Sequence, residues 1–136
     1  MANLADREFV GVVVSSNRRV LCQLRDDIPD IIFPGLWTCC PGGTVEEGEV
    51  PKEAAIREMR EEFEIEICSI KLLTTFSLSN EFSGNYYIYS AKLFSLEKLL
   101  KCNEGQKAEF FSPEQALELR QHPISLNILK IYLADN

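Results

Sequence analysis

Three things are scarce in this 136-residue chain, and each shortage argues against a class of protein. No stretch approaches the roughly 20 apolar residues of a membrane-spanning helix, and the N-terminal segment lacks the apolar run of a signal peptide. Positive charge is outnumbered, because 14 Lys and Arg face 21 Asp and Glu, which gives a net charge of -7. Nucleic-acid polymers and anionic membranes attract basic surfaces, so neither is an expected partner.

The cysteines also lack the pattern of a metal site or a disulfide framework. There are five of them, an odd number, their spacing matches no zinc motif, and Cys39 and Cys40 are adjacent. This usage is typical of reduced thiols that pack as small apolar side chains in a cytoplasmic protein. The chain length and a hydrophobic content of 46% predict a single domain spanning residues 1–136.

The order of apolar runs and turn residues predicts a mixed β-sheet with helices packed against it, an α/β fold. Predicted strands cover 9–16 and 20–25, which form a hairpin, and then 36–40, 70–79, 85–96 and 107–112. Predicted loops cover 26–35 and the glycine-rich segment 41–49. Predicted helices cover 51–63, 112–119 and 124–134.

The helix predicted over 51–63 carries an unusual group of carboxylates. Glu58, Glu61 and Glu62 are neighbours at helical spacing, where like charges repel by roughly 0.2–0.5 kcal/mol per pair. Arg57 lies one turn before Glu61, whereas Glu58 and Glu62 have no basic residue three or four positions away. The apolar side chains that face the core on a helical wheel are Ala55, Ile56, Met59 and Phe63.

Two interpretations of these carboxylates remain open from the residues alone. They form either a solvated acidic face or a site for a hard cation such as Mg²⁺, which takes one or two carboxylates together with substrate phosphates. The second is favoured by the glycine-rich loop 41–49 directly upstream, because glycine lets backbone approach a ligand closely. A carboxylate in such a site accepts the proton of an attacking water, so the helix indicates metal-assisted attack on a phosphate or diphosphate.

The segment 43–65 resembles the Nudix box, G-x5-E-x7-R-E-U-x-E-E-x-G-U, in which U is a bulky aliphatic residue. The preceding FPGLWTCCPGG is similar to the strand and turn that lead into the box in that family. The one departure is Glu64, where the pattern has glycine. The matching positions are Gly43, Glu49, Arg57, Glu58, Met59, Glu61, Glu62 and Ile65.

The resemblance implies an α/β/α sandwich around a mixed sheet and a MutT-like hydrolase that uses Mg²⁺ or Mn²⁺. Such enzymes cleave a nucleoside diphosphate linked to another moiety. The small size favours a nucleoside triphosphate substrate, cleaved to a monophosphate and pyrophosphate; nucleotide sugars and ADP-ribose are the alternatives. A non-catalytic module that binds a nucleotide ligand is the alternative of another class. The expected partners are a small nucleotide and, at most, a second copy of the chain.

The resemblance also implies roles for individual residues. Glu61 and Glu62 are expected metal ligands, and Glu58 is either a metal ligand or the general base. The backbone carbonyl of Gly42 or Gly43 is expected to face the metal, and Gly43 also to border the substrate. Two residues outside the box complete the predicted site: Glu104 as a further metal ligand or base, and Arg25 as a phosphate-binding residue. The predicted catalytic set is therefore Glu58, Glu61, Arg57 and Glu49, the last two bracing each other.

Several local expectations follow. A glutamate in the left-handed conformation that glycine adopts at the end of a helix costs about 1 kcal/mol, so the helix is expected to end differently at Glu64. Val50 is a weak N-cap. His122, in QHP, is predicted to be a surface loop residue. The segment PGLWTCC also resembles isopentenyl-diphosphate isomerase, but a chain with one histidine cannot build the histidine-rich metal site of that enzyme. Core packing or exposure is expected for Phe82, Tyr86, Tyr87 and Asn127.

Overall fold

The computed structural model describes residues 7–31, 33–79, 82–94 and 101–135, which form a seven-stranded mixed sheet with helices on both faces. The strands are β1 (Glu8–Ser16), β2 (Arg19–Leu24), β3 (Trp37–Thr38), β4 (Gly42–Thr44), β5 (Ile67–Leu78), β6 (Gly84–Leu93) and β7 (Lys107–Phe111). The helices are α1 (Pro51–Phe63), α2 (Pro113–Glu118) and α3 (Pro123–Asp135).

Strand β1 is the centre of the sheet. It pairs antiparallel with β2 and β4 and parallel with β6. Strand β5 pairs with the other edge of β6, and both β3 and β7 pair with β2. The predicted hairpin is confirmed: Ser16 pairs with Arg19, so Asn17 and Arg18 alone form the turn. Both turn residues have positive φ, 52° and 63°, as the mirror-image turns of two-residue hairpins require.

The apolar side chains divide into two cores, one on each face of the sheet. Alternate residues of β1, Val10, Val12 and Val14, pack against α1, whereas Val13 belongs to the second core with residues of α2 and α3. The predicted α/β/α sandwich is therefore observed. Within the described ranges, no helix is long and apolar enough to cross a membrane.

Helix α1 covers the predicted residues, but the conformation of the residue that follows it differs from the prediction. Val50 makes no side-chain cap, as expected, and Pro51 occupies the first helical position. Glu64 adopts the left-handed conformation (φ 56°, ψ 39°), so the prediction that the helix ends differently is wrong. The left-handed residue redirects the chain so that Ile65 is buried beside Phe63, and burial of two large apolar side chains outweighs a cost of about 1 kcal/mol.

Two further predictions need correction. The segment 41–49 is not all loop, because Gly42–Thr44 forms β4 against β1. His122 is not a surface residue: it is 7% exposed, directly before α3. The remaining predicted strands and helices are present, with ends that differ by a few residues; α2 begins with a capping box in which Ser112 and Gln115 bond each other's backbone.

Candidate active site

Arg57 joins the loop after β4 to helix α1. Its Nε and Nη2 donate to the two carboxylate oxygens of Glu49 at 2.9 and 3.0 Å, and Nη2 also donates to the carbonyl of Thr44 at 2.9 Å. Its Nη1 donates to Glu58 and Glu61, each at 3.1 Å. Hydrogen bonds from Arg57 lower the pKa of Glu49, so this pair stays fully charged and fixes the loop on the helix.

Glu58 lies against the backbone of Gly43 in β4. A Cβ atom at Gly43 would lie 2.6 Å from Cδ of Glu58, so a side chain at this position would displace the carboxylate. Burial raises the pKa of Glu58, and the hydrogen bond and charge of Arg57 oppose that rise. Although Glu58 has no basic residue one helical turn away, the adjacent Arg57 folds back to it.

Glu62 has the most unusual surroundings of the acidic residues in the described chain. It is 4% exposed, and its Oε2 is the one buried side-chain oxygen or nitrogen without a hydrogen-bond partner in the part that the structure describes. Burial, followed by the nearby carboxylates of Glu104 and Glu58, raises the pKa of Glu62 to about 9. Leaving the buried Oε2 atom without a partner is costly, and a bound cation would satisfy it and favour the ionised form of the group.

The segment 101–106 brings Glu104 to this carboxylate. Asn103 closes the end of α1: its N–H donates to the carbonyl of Glu62 at 2.7 Å and its Nδ2 to the carbonyl of Glu61 at 2.9 Å. On the other side, Gln23 Nε2 of β2 donates to the carbonyl of Glu104 at 2.6 Å. The segment thus spans from α1 to β2 and holds Glu104 beside Glu62.

Arg25 follows β2 and lines a cavity, as does Glu104. Its positive charge opposes the rise in the pKa of Glu62 and adds to the effect of burial in lowering the pKa of His122, so it is near both groups. The cavity has a volume of about 270 Å³, and Arg25 and Glu104 form one part of its wall together with the glycines of β4.

Two groups of aromatic rings form another part of the wall. Tyr86 lies between Phe9 and Phe76, with ring centroids at 4.8 and 4.9 Å. Phe33 stacks on His122 at 4.4 Å with an interplanar angle of 9°, and it contacts the tilted ring of Phe82 at 5.2 Å. Flat apolar walls of this kind suit a planar aromatic ligand.

The residues of the site fit a divalent cation. The donors are carboxylate oxygens, which hard cations prefer, and the partnerless oxygen of Glu62 is an atom that a cation would satisfy. In the described residues, no three His, Cys, Asp or Glu side chains are arranged as a complete metal-binding set. Mg²⁺ needs no such set, because it is held by one or two carboxylates with water and substrate phosphates as the other ligands.

The predicted site residues do not all lie at this candidate cation site. Glu58, Glu62 and Glu104 lie together, whereas Glu61 is paired with Arg57 and its side chain is 58% exposed. Gly42 and Gly43 both line the cavity. The sequence did not point to the ring pair of Phe33 and His122. It favoured core or surface positions for Phe82 and Tyr86, but both line the cavity. The same expectation agrees with the structure for Tyr87, which packs against the core, and for Asn127, which is exposed.

Together, the sheet between two helical layers and the arginine-braced loop before a glutamate-rich helix define one class of protein. Residues 6–130 match the profile of the NUDIX domain. The chain therefore belongs to the Nudix hydrolase family.

Two relatives and one solved structure are similar over nearly the whole chain. A CTP pyrophosphohydrolase of Escherichia coli is 28% identical over 128 residues, which cover 93% of this chain and 91% of the relative. An uncharacterized Nudix hydrolase of Pseudomonas aeruginosa is 27% identical over 140 residues, 97% of this chain and 83% of the relative. The crystal structure of a MutT Nudix hydrolase from Burkholderia pseudomallei has a TM-score of 0.76 at 22% identity, covers 92% of this chain and 96% of its own, and shows the shared fold.

Proposed function

We propose that the chain hydrolyses a nucleoside triphosphate to a nucleoside monophosphate and pyrophosphate, with Mg²⁺ or Mn²⁺ as cofactor. The observation that carries this proposal is the enclosed, partnerless carboxylate oxygen of Glu62 beside Glu58 and Glu104. Glu104 also lines a cavity with aromatic walls, so the proposed cation site and a place for a base adjoin each other. The similarity to the CTP pyrophosphohydrolase of E. coli supports this substrate class.

Each residue has a distinct part in the proposed reaction. Arg25 binds a phosphate oxygen, and Glu62 and Glu104 hold the cation. When bound, the cation neutralises charge on the phosphate oxygens. A water oxygen attacks a phosphorus of the triphosphate, the bond from that phosphorus to the bridging oxygen breaks, and pyrophosphate leaves. Glu58 accepts the proton of the water, because Arg57 holds its carboxylate against Gly43 at the wall of the cavity. Glu49, Arg57 and Glu61 keep that carboxylate in place.

The test is a substrate panel with purified protein, assayed with Mg²⁺, with Mn²⁺ and with excess chelator. The panel contains the nucleoside triphosphates, nucleotide sugars and ADP-ribose, and products are identified by ³¹P NMR. Hydrolysis in ¹⁸O-labelled water shows which phosphorus is attacked. We expect chelator-sensitive release of pyrophosphate from a nucleoside triphosphate.

Matched variants on the same helix separate the site from the scaffold. Glu62→Gln replaces a proposed carboxylate ligand of the cation by a neutral amide and is expected to lower kcat/KM by at least about 100-fold, as loss of a principal catalytic group does. Glu53→Gln, on the exposed side of α1, is expected to leave the rate unchanged. Faster cleavage of a nucleotide sugar or ADP-ribose would replace the substrate assignment. Metal-dependent binding without any cleavage would make the chain a binding module.

A further inference from the structure

The ring of His122 has a hydrogen-bond donor that the fold does not use. His122 directly precedes α3, and its Nδ1 accepts a hydrogen bond from the backbone N–H of Ser125 at 3.0 Å. A ring nitrogen that accepts a hydrogen bond carries no proton, so the proton of the neutral imidazole is on Nε2. Burial, assisted by the charge of Arg25, lowers the pKa of His122 to about 4, which keeps the ring neutral at physiological pH.

The Nε2 atom remains accessible from the cavity. In the described part of the chain no residue accepts a hydrogen bond from it, and the only fully enclosed side-chain oxygen or nitrogen without a partner is Oε2 of Glu62. Nε2 of His122 is therefore not fully enclosed. Since the residue is 7% exposed in total and lines the cavity, the open edge of the ring faces that space.

The ring is also held in one orientation. Phe33 stacks on one of its faces at 4.4 Å, and the bond from Ser125 fixes its Nδ1 edge. Thr38 also lines the cavity, but its hydroxyl is already used within the fold, because it accepts a hydrogen bond from the backbone N–H of Cys40 at 3.2 Å. A fixed donor loses little entropy when it binds an acceptor, so it discriminates among ligands effectively.

We propose that His122 is a specificity-determining residue, which donates a hydrogen bond from Nε2 to an acceptor atom on the base of the nucleotide. The proposal rests on the proposed function, since it assumes that the cavity holds the base while the phosphates lie at Arg25 and the carboxylates. Bases that present a carbonyl oxygen or an unprotonated ring nitrogen to this edge are favoured.

A direct test uses the fact that the chain has one histidine, whose ring signals are therefore unambiguous. Two-bond ¹H–¹⁵N spectra of the protein are recorded at pH 7.5 while nucleoside monophosphates, which are not turned over, are added. We expect a neutral ring protonated at Nε2 and a change in the Nε2 shift with at least one nucleotide, but none with ribose 5-phosphate, which has no base. No change with any nucleotide, or an equal change with ribose 5-phosphate, would overturn the proposal.

A kinetic test uses His122→Asn. Asparagine is a good N-cap, so its side-chain oxygen keeps the bond from Ser125, but its amide is too short to replace Nε2. We expect kcat/KM for the best nucleotide to fall about tenfold through KM, as the loss of one hydrogen bond to a neutral group predicts. Hydrolysis of ribose 5-triphosphate is expected to be unchanged. Lys130→Gln, exposed on the same helix, is the control for both substrates.

The two tests separate failure of this proposal from failure of the proposed function. If the wild-type protein cleaves no nucleotide, the proposed function is wrong, and the NMR titration still decides whether His122 contacts a base. If nucleotides are cleaved but His122→Asn lowers the rates for nucleotide and ribose 5-triphosphate equally, His122 is structural and only the proposal about the base is overturned.

Discussion

Replacing Gly43 by alanine tests whether the position of Glu58 controls the rate. The new Cβ would lie 2.6 Å from Cδ of Glu58, whereas ordinary contacts are 3.4–4 Å, so the carboxylate must retreat by about 1 Å. A displacement of this size in a catalytic group costs roughly 100-fold in rate. The fold should tolerate the change, since Gly43 lies in β4 and its φ is not positive. We therefore expect kcat to fall about 100-fold and the free energy of unfolding to change by less than about 1 kcal/mol.

The assay measures kcat for the best nucleotide and unfolding in urea on the same preparations. Gly48→Ala is the reciprocal control: no atom lies within 4 Å of its Cβ position, but φ is +81°, so it should lose about 1 kcal/mol of stability and keep its activity. The double variant Gly43→Ala with Glu58→Gln should be no slower than Glu58→Gln alone, because both act on one carboxylate. Full activity in Gly43→Ala, or additive losses in the double variant, would refute the reasoning.

Three further predictions concern other parts of the structure. Glu64→Gly removes the strain of a left-handed glutamate and should raise the free energy of unfolding by about 0.5–1 kcal/mol in urea titrations, with unchanged activity. Arg57→Lys cannot reproduce the two-pronged contact with Glu49 and should lower both the melting temperature and kcat; a variant equal to wild type would show that the contact is dispensable. The pKa of His122 is lowered in the fold, so the unfolded chain binds more protons below pH 6.5, and stability should fall between about pH 6.5 and 4 by on the order of 3 kcal/mol. His122→Asn should lack this part of the pH dependence in parallel unfolding curves.

Sequence reasoning succeeded where local pattern and structure coincide. Helix α1 has the predicted bounds, because Pro51 starts it and a regular apolar stripe holds it on the sheet. The contact between Glu49 and Arg57 agrees with what the resemblance implied. It was predictable because the loop and the helix that carry these residues are consecutive in the chain. Contacts of this kind depend on neighbours that a short stretch of sequence contains.

Other features depend on partners that are distant in the sequence. Nothing in QHP indicates burial, because the ring of His122 is covered by Phe33 from the loop after β2. Gly42 and Gly43 have no strand-forming side chains; their strand pairs with β1 because glycine at position 42 permits the close approach to Val10 and Gly11. Glu64 is left-handed because the burial of Ile65 decides its conformation. These outcomes were set by tertiary packing.

The segment 101–106 has an implication for how this chain tolerates changes in length. It ends helix α1 through Asn103, positions Glu104, and joins β2 through Gln106, whose backbone N–H donates to the carbonyl of Leu24 at 2.8 Å. Both anchors are fixed, so an added or deleted residue between them would shift Glu104 relative to Glu62 while every side chain stayed the same. Among natural or engineered variants, this connection should be conserved in length even where its residues change, whereas the turn at Asn17 and Arg18 should accept insertions.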